Sequence, residues 1–286
     1  MKNPSRQAWL FLAPALLLLV VFAFWPVAYG SLLAFTDYSL IKPAKWVGLD
    51  NFRYIFDNDM FVTGLKNSLL FLLIVPFIQV TAMLLAVLVN NRLPGIRLFR
   101  AAYYVPVVTT VSVVGVMWGF MFNDQGTLNY VLLQLRLVHT PVGWLTNDSV
   151  ALFAVMFVTA WRGLGWYMVM YLAALQGIPA EMQEAAVLDG ANVWQRFWRI
   201  TVPMLYPTIA VCTIMSVLAA LKAYQEVDVL TQGGPMNSTF TALYYAYDQG
   251  FKHLKLPRGL AASFVVSLFC IVIALGCLRF LKPKHR

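Results

Sequence analysis

Residues 177–207 read GIPAEMQEAAVLDGANVWQRFWRITVPMLYP, and this stretch is the most informative one for predicting the fold. It is the one long polar, helix-competent segment between two apolar runs, at about 150–172 and 205–225. Apolar runs of about 20 residues are typical of membrane-spanning helices. The stretch is therefore predicted to connect two membrane spans.

The local residue pattern of this connection predicts two short helices. Pro179 suits the first turn of a helix, and the acids that follow it lie where the helix dipole favours negative charge. Gly190 is a natural helix end, and Asn192 can cap a second helix. Pro203 is expected to stop that second helix. The two helices should therefore meet at a bend on the glycine.

Three motifs in this stretch resemble the EAA loop of ABC importer permeases: Glu184-Ala185-Ala186, Asp189-Gly190-Ala191 and Ile200-Thr201-Val202-Pro203. The Asp-Gly-Ala version is similar to the carbohydrate-uptake branch, the maltose and glycerol-3-phosphate permease-like family. The resemblance implies a cytoplasmic loop that docks on an ATPase subunit. By that resemblance, Glu184 is the acidic anchor, Ala185 and Ala186 allow close helix approach, Asp189 braces the loop and Gly190 makes the bend.

The composition is that of a polytopic membrane protein. The 286 residues are 60% hydrophobic and 12% charged, whereas soluble domains carry about 25% charged residues. All three cysteines fall in apolar runs and the three histidines are isolated, so neither a disulfide framework nor a metal site is predicted. The net charge of +9 is better explained by cytoplasmic flanks of membrane spans than by nucleic-acid binding.

Hydropathy predicts an all-α integral membrane protein with six transmembrane helices. The predicted spans are 7–36, 67–91, 101–123, 150–172, 205–225 and 259–278. The first is too long for the apolar core of a signal peptide, so it is read as an uncleaved span. The resemblance implies the type I ABC importer permease fold, with an N-terminal helix and external loop in 1–60 and the permease core in 61–281. The EAA coupling loop occupies 177–207 of that core.

Charge predicts the orientation. With both termini, 90–100 and 173–206 in the cytoplasm, the inside carries eleven Lys and Arg and three acids. The outside then carries eight Lys and Arg and nine acids, in longer connections. The higher density of basic residues inside follows the positive-inside rule. This places the Glu184 loop in the cytoplasm.

Ionisable and aromatic residues in spans four and five are candidates for a substrate pathway, because charge inside a membrane is costly. Two interpretations stay open for each group, a polar translocation pathway and helix packing or bracing. Lys222 and Glu226 are four residues apart, a spacing that allows an intrahelical ion pair on one helix face as the alternative to a polar pathway wall. The candidates are Trp161, Arg162, Lys222, Tyr224, Gln225 and Glu226.

A turn-forming cluster follows span five. It resembles the Thr-x-Gly-Gly-Pro loop of sugar permeases, and in this topology it faces outward. Contact with an incoming binding protein and a simple turn are both open. The residues concerned are Thr231, Gly233, Gly234 and Pro235.

The sequence thus predicts one of two permease subunits of a sugar or oligosaccharide importer in a prokaryotic inner membrane. The resemblance implies a second permease, two ATPase subunits and a solute-binding protein as partners. No Gly-x-x-x-x-Gly-Lys-Ser/Thr motif occurs in the chain, so ATP and Mg²⁺ are assigned to the ATPase, and the chain itself is expected to bind no cofactor and to catalyse nothing.

Three alternatives stand beside this prediction. Glycerol-3-phosphate is the main rival cargo, since Arg162 and Lys222 could bind its phosphate. A stand-alone secondary transporter would need intramembrane carboxylates, and only Glu226 and Asp228 lie near a span interior. The third alternative is a membrane-embedded enzyme, but the predicted spans contain no paired His/Asp or Ser/Lys arrangement that would support it.

Overall fold

The computed structural model describes residues 4–39, 41, 43–90 and 95–280, and this part of the chain is helical apart from its connections. Six of the Lys and Arg residues that were counted for the predicted orientation lie outside it: Lys2, Lys42, Arg92, Lys282, Lys284 and Arg286. The helices are α1 (Pro4–Leu19), α2 (Trp25–Leu33), α3 (Asp50–Phe56), α4 (Asp59–Leu70), α5 (Ile74–Asn90), α6 (Ile96–Val108), α7 (Val111–Met121), α8 (Thr127–Gln134), α9 (Asp148–Gln176), α10 (Ala180–Leu188), α11 (Val193–Arg196), α12 (Val202–Leu221), α13 (Gln225–Leu230), α14 (Ala242–Tyr247) and α15 (Leu256–Phe280).

Short turns of other helix types continue several of these elements. π-helical turns lie at Val20–Phe24, Phe197–Thr201 and Asp248–Lys252, and a 3-10 turn lies at Phe71–Leu73. As a result, α1 with α2, α4 with α5, and α11 with α12 each form one nearly continuous apolar rod.

The predicted all-helical architecture is confirmed, and the count of six spans holds with one qualification. Within the described residues, five helical stretches are long and apolar enough to cross a membrane, and one bent helix pair makes the sixth. The five are Phe11–Leu33, Asp59–Asn90, Asp148–Gln176, Val193–Leu221 and Leu256–Arg279, and the pair is Leu98–Val108 with Val111–Met121.

Span three, predicted as one helix over 101–123, is broken. Its two halves meet at 105°. Thr109 and Thr110 adopt extended backbone between them, and the Thr109 hydroxyl donates to the Val105 carbonyl at 2.7 Å. Threonine hydroxyls compete for helix carbonyls in this way, which favours a helix end. Pro106 lies inside α6 and is not the point of the break.

The chain divides into two compact units. One comprises Met1–Val62 with Tyr245–Val265, and the other comprises Thr63–Tyr244 with Val266–Arg286. The first holds α1 and α2, whose apolar side chains are largely exposed, as expected of a helix that faces lipid or another subunit. In that unit Phe35 packs on Phe52 and Phe264, with ring centroids 4.9 and 6.0 Å apart.

The second unit is built on α9, which packs against α5, α6, α12 and α13. Its apolar core includes Ala82, Met168, Leu172 and Leu205. A glycine makes the closest approach: a Cβ at Gly165 would overlap the Tyr103 carbonyl oxygen of α6. Small residues at helix contacts are the usual means of close packing between membrane helices.

One buried polar cluster ties α5, α9 and α12 together. The Gln79 amide donates to the Ser216 hydroxyl at 2.9 Å and to the Cys212 carbonyl at 3.3 Å, and the Tyr171 hydroxyl donates to the Gln79 carbonyl oxygen. A buried amide is costly without partners. Because its partners sit on two other helices, the cluster fixes the relative positions of all three.

The close α6–α9 contact yields a stability prediction with an internal control. Gly165→Ala should lower the free energy of unfolding by about 1–3 kcal/mol, because the added methyl group overpacks the contact. Gly163→Ala should leave it unchanged or slightly higher, because a Cβ there meets only the Tyr167 ring at 3.7 Å. Thermal unfolding of the purified protein in detergent compares the two. Equal melting temperatures would show that this contact is not tight.

Candidate functional site

A cavity of about 230 Å³ opens among the spans of the second unit. Helices α5, α6, α9 and α12 supply its walls, so each of these helices can change its shape by moving. Its lining is mostly apolar, with a few hydroxyls, one indole and one guanidinium. The lining residues are Ile74, Ile78, Val107, Thr159, Arg162, Gly163, Trp166, Tyr167, Ser216, Ala219 and Ala220.

Arg162 contributes the charge in this wall, and Glu226 neutralises it. The Arg162 Nη2 atom lies 2.8 Å from the Glu226 Oε1 atom. The Arg162 side chain is 29% exposed and that of Glu226 is 6% exposed. Buried charges are paired when they persist in proteins. The pair therefore joins α9 to α13 and leaves a charge-balanced wall.

The Lys222–Glu226 ion pair that their spacing allows is not formed, because Glu226 pairs with Arg162. The helix α12 ends at Leu221 instead of continuing to 225, and Lys222 is its exposed C-terminal cap. Tyr224 then has a non-helical backbone (φ −146°, ψ −32°), and α13 starts at Gln225. Because the helix is interrupted between the two residues, the four-residue spacing no longer places them on one face.

The structure separates the predicted pathway residues. Of these residues, only Arg162 lines the cavity. Glu226 does not line it but forms the ion pair with Arg162. Trp161 packs edge-to-face on Trp118, with ring centroids 5.4 Å apart, in a separate aromatic cluster. Tyr224 is half-buried and Gln225 is exposed, and neither lines the cavity.

Sequence reasoning missed two hydroxyl residues in the cavity wall. Thr159 and Ser216 look unremarkable in apolar runs, yet both line the cavity. One signal was available, since Thr159, Arg162 and Trp166 recur at three- and four-residue spacing on one helix face. Trp166 is 43% exposed, so its ring is open to a ligand.

The stretch 177–207 forms the predicted pair of short helices, α10 and α11. Gly190 has φ +79°. The Ala191 N–H donates to the Ala186 carbonyl and the Gly190 N–H to the Val187 carbonyl, a Schellman end. Asn192 caps α11 in a reciprocal capping box with Gln195. The bend is thus fixed by hydrogen bonds on both sides.

Pro203 does not stop the second helix, contrary to prediction. The helical rod runs from Val193 to Leu221, through the π-helical turn Phe197–Thr201. In that turn the Val202 N–H bonds the Phe197 carbonyl, five residues back. The wider turn lets the rod pass the proline, which has no N–H to give and a ring that crowds a regular helix. The short helix α11 is therefore rigidly joined to span five.

The surface of α10 and α11 is exposed. No residue of α10 is buried, and Glu184, Ala185, Asp189 and Gly190 all face solvent, whereas Ala186 is half-buried. Large apolar side chains share this exposure: Val187, Leu188, Val193, Trp194 and Trp198. Exposed large apolar side chains on the same short helices as an exposed acid are typical of a protein-binding surface.

The turn after span five is an ordered loop. The Thr231 and Thr239 hydroxyls lie 2.8 Å apart, and Thr239 also donates to the Gly234 carbonyl at 2.8 Å. Gly234–Pro235 is a cis peptide, and Gly233 (φ +86°) is buried under the Phe240 ring. Of the predicted contact residues, Gly233 is thus unavailable to a partner, and the exposed loop positions are Gln232, Met236 and Asn237.

Asn67 anchors this loop and was not foreseen. Its amide donates to the Ser238 carbonyl at 2.7 Å and to the Phe240 carbonyl at 2.8 Å. The residues are about 170 positions apart in sequence, so no local pattern connects them. Elsewhere, the described residues contain no group of three His, Cys, Asp or Glu side chains that could hold a metal ion.

Comparison with known proteins assigns this chain to one family. The model of the family "Binding-protein-dependent transport system inner membrane component" matches residues 5–283. The lactose transport system permease protein LacF of Rhizobium radiobacter is 33% identical over 98% of this chain and 95% of its own length. The sn-glycerol-3-phosphate transport system permease protein UgpA of Agrobacterium fabrum is 32% identical over 97% and 94%.

Solved structures agree on the fold. A chain of a bacterial ABC transporter that imports the acidic polysaccharide alginate is 24% identical, covers 98% of both chains and superposes with a TM-score of 0.85. A chain from an alginate ABC transporter in complex with a pentasaccharide-bound periplasmic protein gives 0.84 at 23% identity, over 96% of this chain and 94% of that one. The predicted type I permease fold is therefore confirmed.

The Arg162–Glu226 pair gives a prediction about coupling between two side chains. Glu226→Leu should cost about 1–3 kcal/mol of stability, because it leaves a partly buried guanidinium without its partner. Adding Arg162→Met should recover part of that loss, since the double variant removes both charges. Thermal unfolding of the two single variants and the double variant gives the interaction free energy. Strictly additive losses would contradict a direct interaction.

Proposed function

Because this chain belongs to the family of binding-protein-dependent transport system inner membrane components, it is a permease subunit of an ABC importer in the cytoplasmic membrane, and we propose that α10 and α11 couple it to an ATPase. The observation that carries this proposal is the exposed, acid-bearing pair of helices joined without a break to span five. A rigid connection transmits displacement, whereas a flexible loop absorbs it.

The mechanical step follows from this connection. ATP binding draws two ATPase subunits together, and the groove that holds Glu184 moves with them. The Gly190 bend keeps α10 and α11 at a fixed angle, so the push reaches α12 through the π-helical turn. Since α12 carries Ser216, Ala219 and Ala220 of the cavity wall, its movement opens or closes the cavity.

The proposed assembly has a second homologous permease, two ATPase subunits and an external solute-binding protein. ATP and Mg²⁺ are held by the ATPase, and this chain hydrolyses nothing. Both termini and the α10–α11 segment face the cytoplasm in this arrangement. The exposed loop positions Gln232, Met236 and Asn237 face outward, where the binding protein docks and releases its cargo.

We propose a sugar or oligosaccharide as the cargo. The cavity offers groups that can bind sugars: the Thr159 hydroxyl for hydrogen bonds, and the exposed Trp166 ring for stacking. Several relatives are named for such cargo, including LacF for lactose. UgpA, named for sn-glycerol-3-phosphate, keeps a polyol phosphate as the second candidate.

Charge reversal at the proposed anchor tests the coupling. Glu184→Lys should lower ATP-driven uptake about tenfold or more, because a charge partner lost from a protein interface costs 2–5 kcal/mol. Membrane insertion should be unchanged, since Glu184 is exposed and packs against no span. Uptake into proteoliposomes containing the complete importer, together with co-purification of the ATPase, measures both.

Asp124→Lys is the matched control. Asp124 is also exposed, and the substitution makes the same change of charge outside the coupling segment. This variant should transport normally and retain its ATPase. If Glu184→Lys transports as well as Asp124→Lys does, α10 is not the coupling surface.

A further inference from the structure

We infer that the cargo crossing this cavity is an uncharged sugar, and that Glu226 is the residue that disfavours anionic cargo. This inference rests on the proposed function, which leaves lactose-type and phosphate-type cargo unresolved. It follows from how the structure distributes charge around one guanidinium.

Arg162 carries the formal charge of the cavity lining. A lone guanidinium there would attract a phosphate or a carboxylate strongly, through two parallel hydrogen bonds. Such a site is what an importer of glycerol-3-phosphate or of an acidic glycan requires. In this chain the guanidinium is already held 2.8 Å from the Glu226 carboxylate.

The partner of Arg162 is an acid that cannot easily leave. Glu226 is only 6% exposed, at the start of α13. Next to it, Val229 is packed so closely on Gly115 of α7 that a Cβ there would overlap its side chain. An anionic ligand that reached Arg162 would therefore lie within a few ångströms of a fixed negative charge. Like charges at that distance in a medium of low dielectric repel each other strongly.

The remaining lining suits a neutral ligand. The Thr159 hydroxyl already donates to the Val155 carbonyl at 3.0 Å, and the Ser216 hydroxyl donates to the Thr213 carbonyl at 2.9 Å. The Thr159 oxygen keeps acceptor capacity for a sugar hydroxyl, whereas the buried Ser216 oxygen already accepts from the Gln79 amide. The paired guanidinium keeps N–H groups that can donate to a sugar oxygen without an accompanying net charge. Trp166 adds an apolar ring face.

Lys222, the other cation that could have served a phosphate, is not part of the wall. It caps the end of α12, is exposed, and does not line the cavity. Arg162 is neutralised by Glu226, and Lys222 lies outside the cavity wall. Both observations favour a neutral cargo.

The experiment measures ligand binding by calorimetry to the assembled permease and ATPase subunits in nanodiscs. The binding protein is left out, so that only the membrane cavity is measured. Neutral oligosaccharides of two to five units are compared with uronates of the same length and with glycerol 3-phosphate. Wild type should bind its best neutral ligand at least about tenfold more tightly than any anionic one, a difference that corresponds to roughly 1.4 kcal/mol.

Three variants locate the cause. Glu226→Gln should shift the ratio of dissociation constants by about tenfold in favour of the anion, because it frees the charge of Arg162. Asp228→Asn makes the same change of net charge on the same helix, about 200° around its axis, and should leave the ratio as in wild type. Arg162→Gln combined with Glu226→Gln restores a neutral wall and should restore the preference.

The outcomes separate this inference from the proposed function. Equal or tighter binding of an anion by wild type overturns the inference, as does an unchanged ratio in a correctly assembled Glu226→Gln importer. If no sugar or phosphate binds and the importer drives no ATP-dependent uptake of any of them, the proposed function is wrong instead.

Discussion

A charged group inside a membrane span must find a partner, and the organisation of this chain depends on how Arg162 meets that constraint. Its partner Glu226 lies on α13, a separate helix that begins after the end of span five. The pair therefore holds α13, which follows span five, against span four. Close glycine contacts at Gly115 and Gly165 bring α7 and α6 into the same body. Charge pairing and backbone packing together make α9 the fixed axis of the permease.

Against this axis, the rod of α11 and α12 is the element proposed to receive the movement of the ATPase and to reshape the cavity. It runs for 29 residues from Val193 to Leu221, which is about 44 Å at the rise of an α-helix. One end presents exposed aromatic residues beside the Gly190 bend. The other end contributes Ser216, Ala219 and Ala220 to the cavity. In the proposed mechanism, a push on α10 and α11 and a change in cavity shape are movements of one rigid body.

Local sequence chemistry predicted the local structure of α10 and α11 well. The glycine bend and the asparagine cap depend on neighbours within five residues, and both appear as expected. Arg162 and Glu226 were each identified as candidates because charge in a span is costly. Their pairing was not predicted, because it depends on where α12 ends. The break at Thr109–Thr110 and the passage of the rod past Pro203 were also missed, since in both cases the geometry of a helix depends on what it packs against.

The residues least accessible to sequence reasoning are polar groups with distant partners. Asn67 and Gln79 look like isolated polar residues in apolar runs, yet each binds two groups more than 130 positions away. Hydropathy measures only how apolar a window is, so it cannot show such pairings. The same holds for the cavity: Ser216 belongs to it only because four helices converge there.

In the proposed function, this chain moves cargo only when a partner ATPase drives it. The most direct measurement is uptake of a labelled oligosaccharide into proteoliposomes that hold either this chain alone or the complete importer with its ATPase and binding protein. Uptake by the complete importer should require ATP on the side of the membrane that carries the ATPase and should be unaffected by collapsing ion gradients. Gradient-driven uptake by this chain alone would contradict the proposed function.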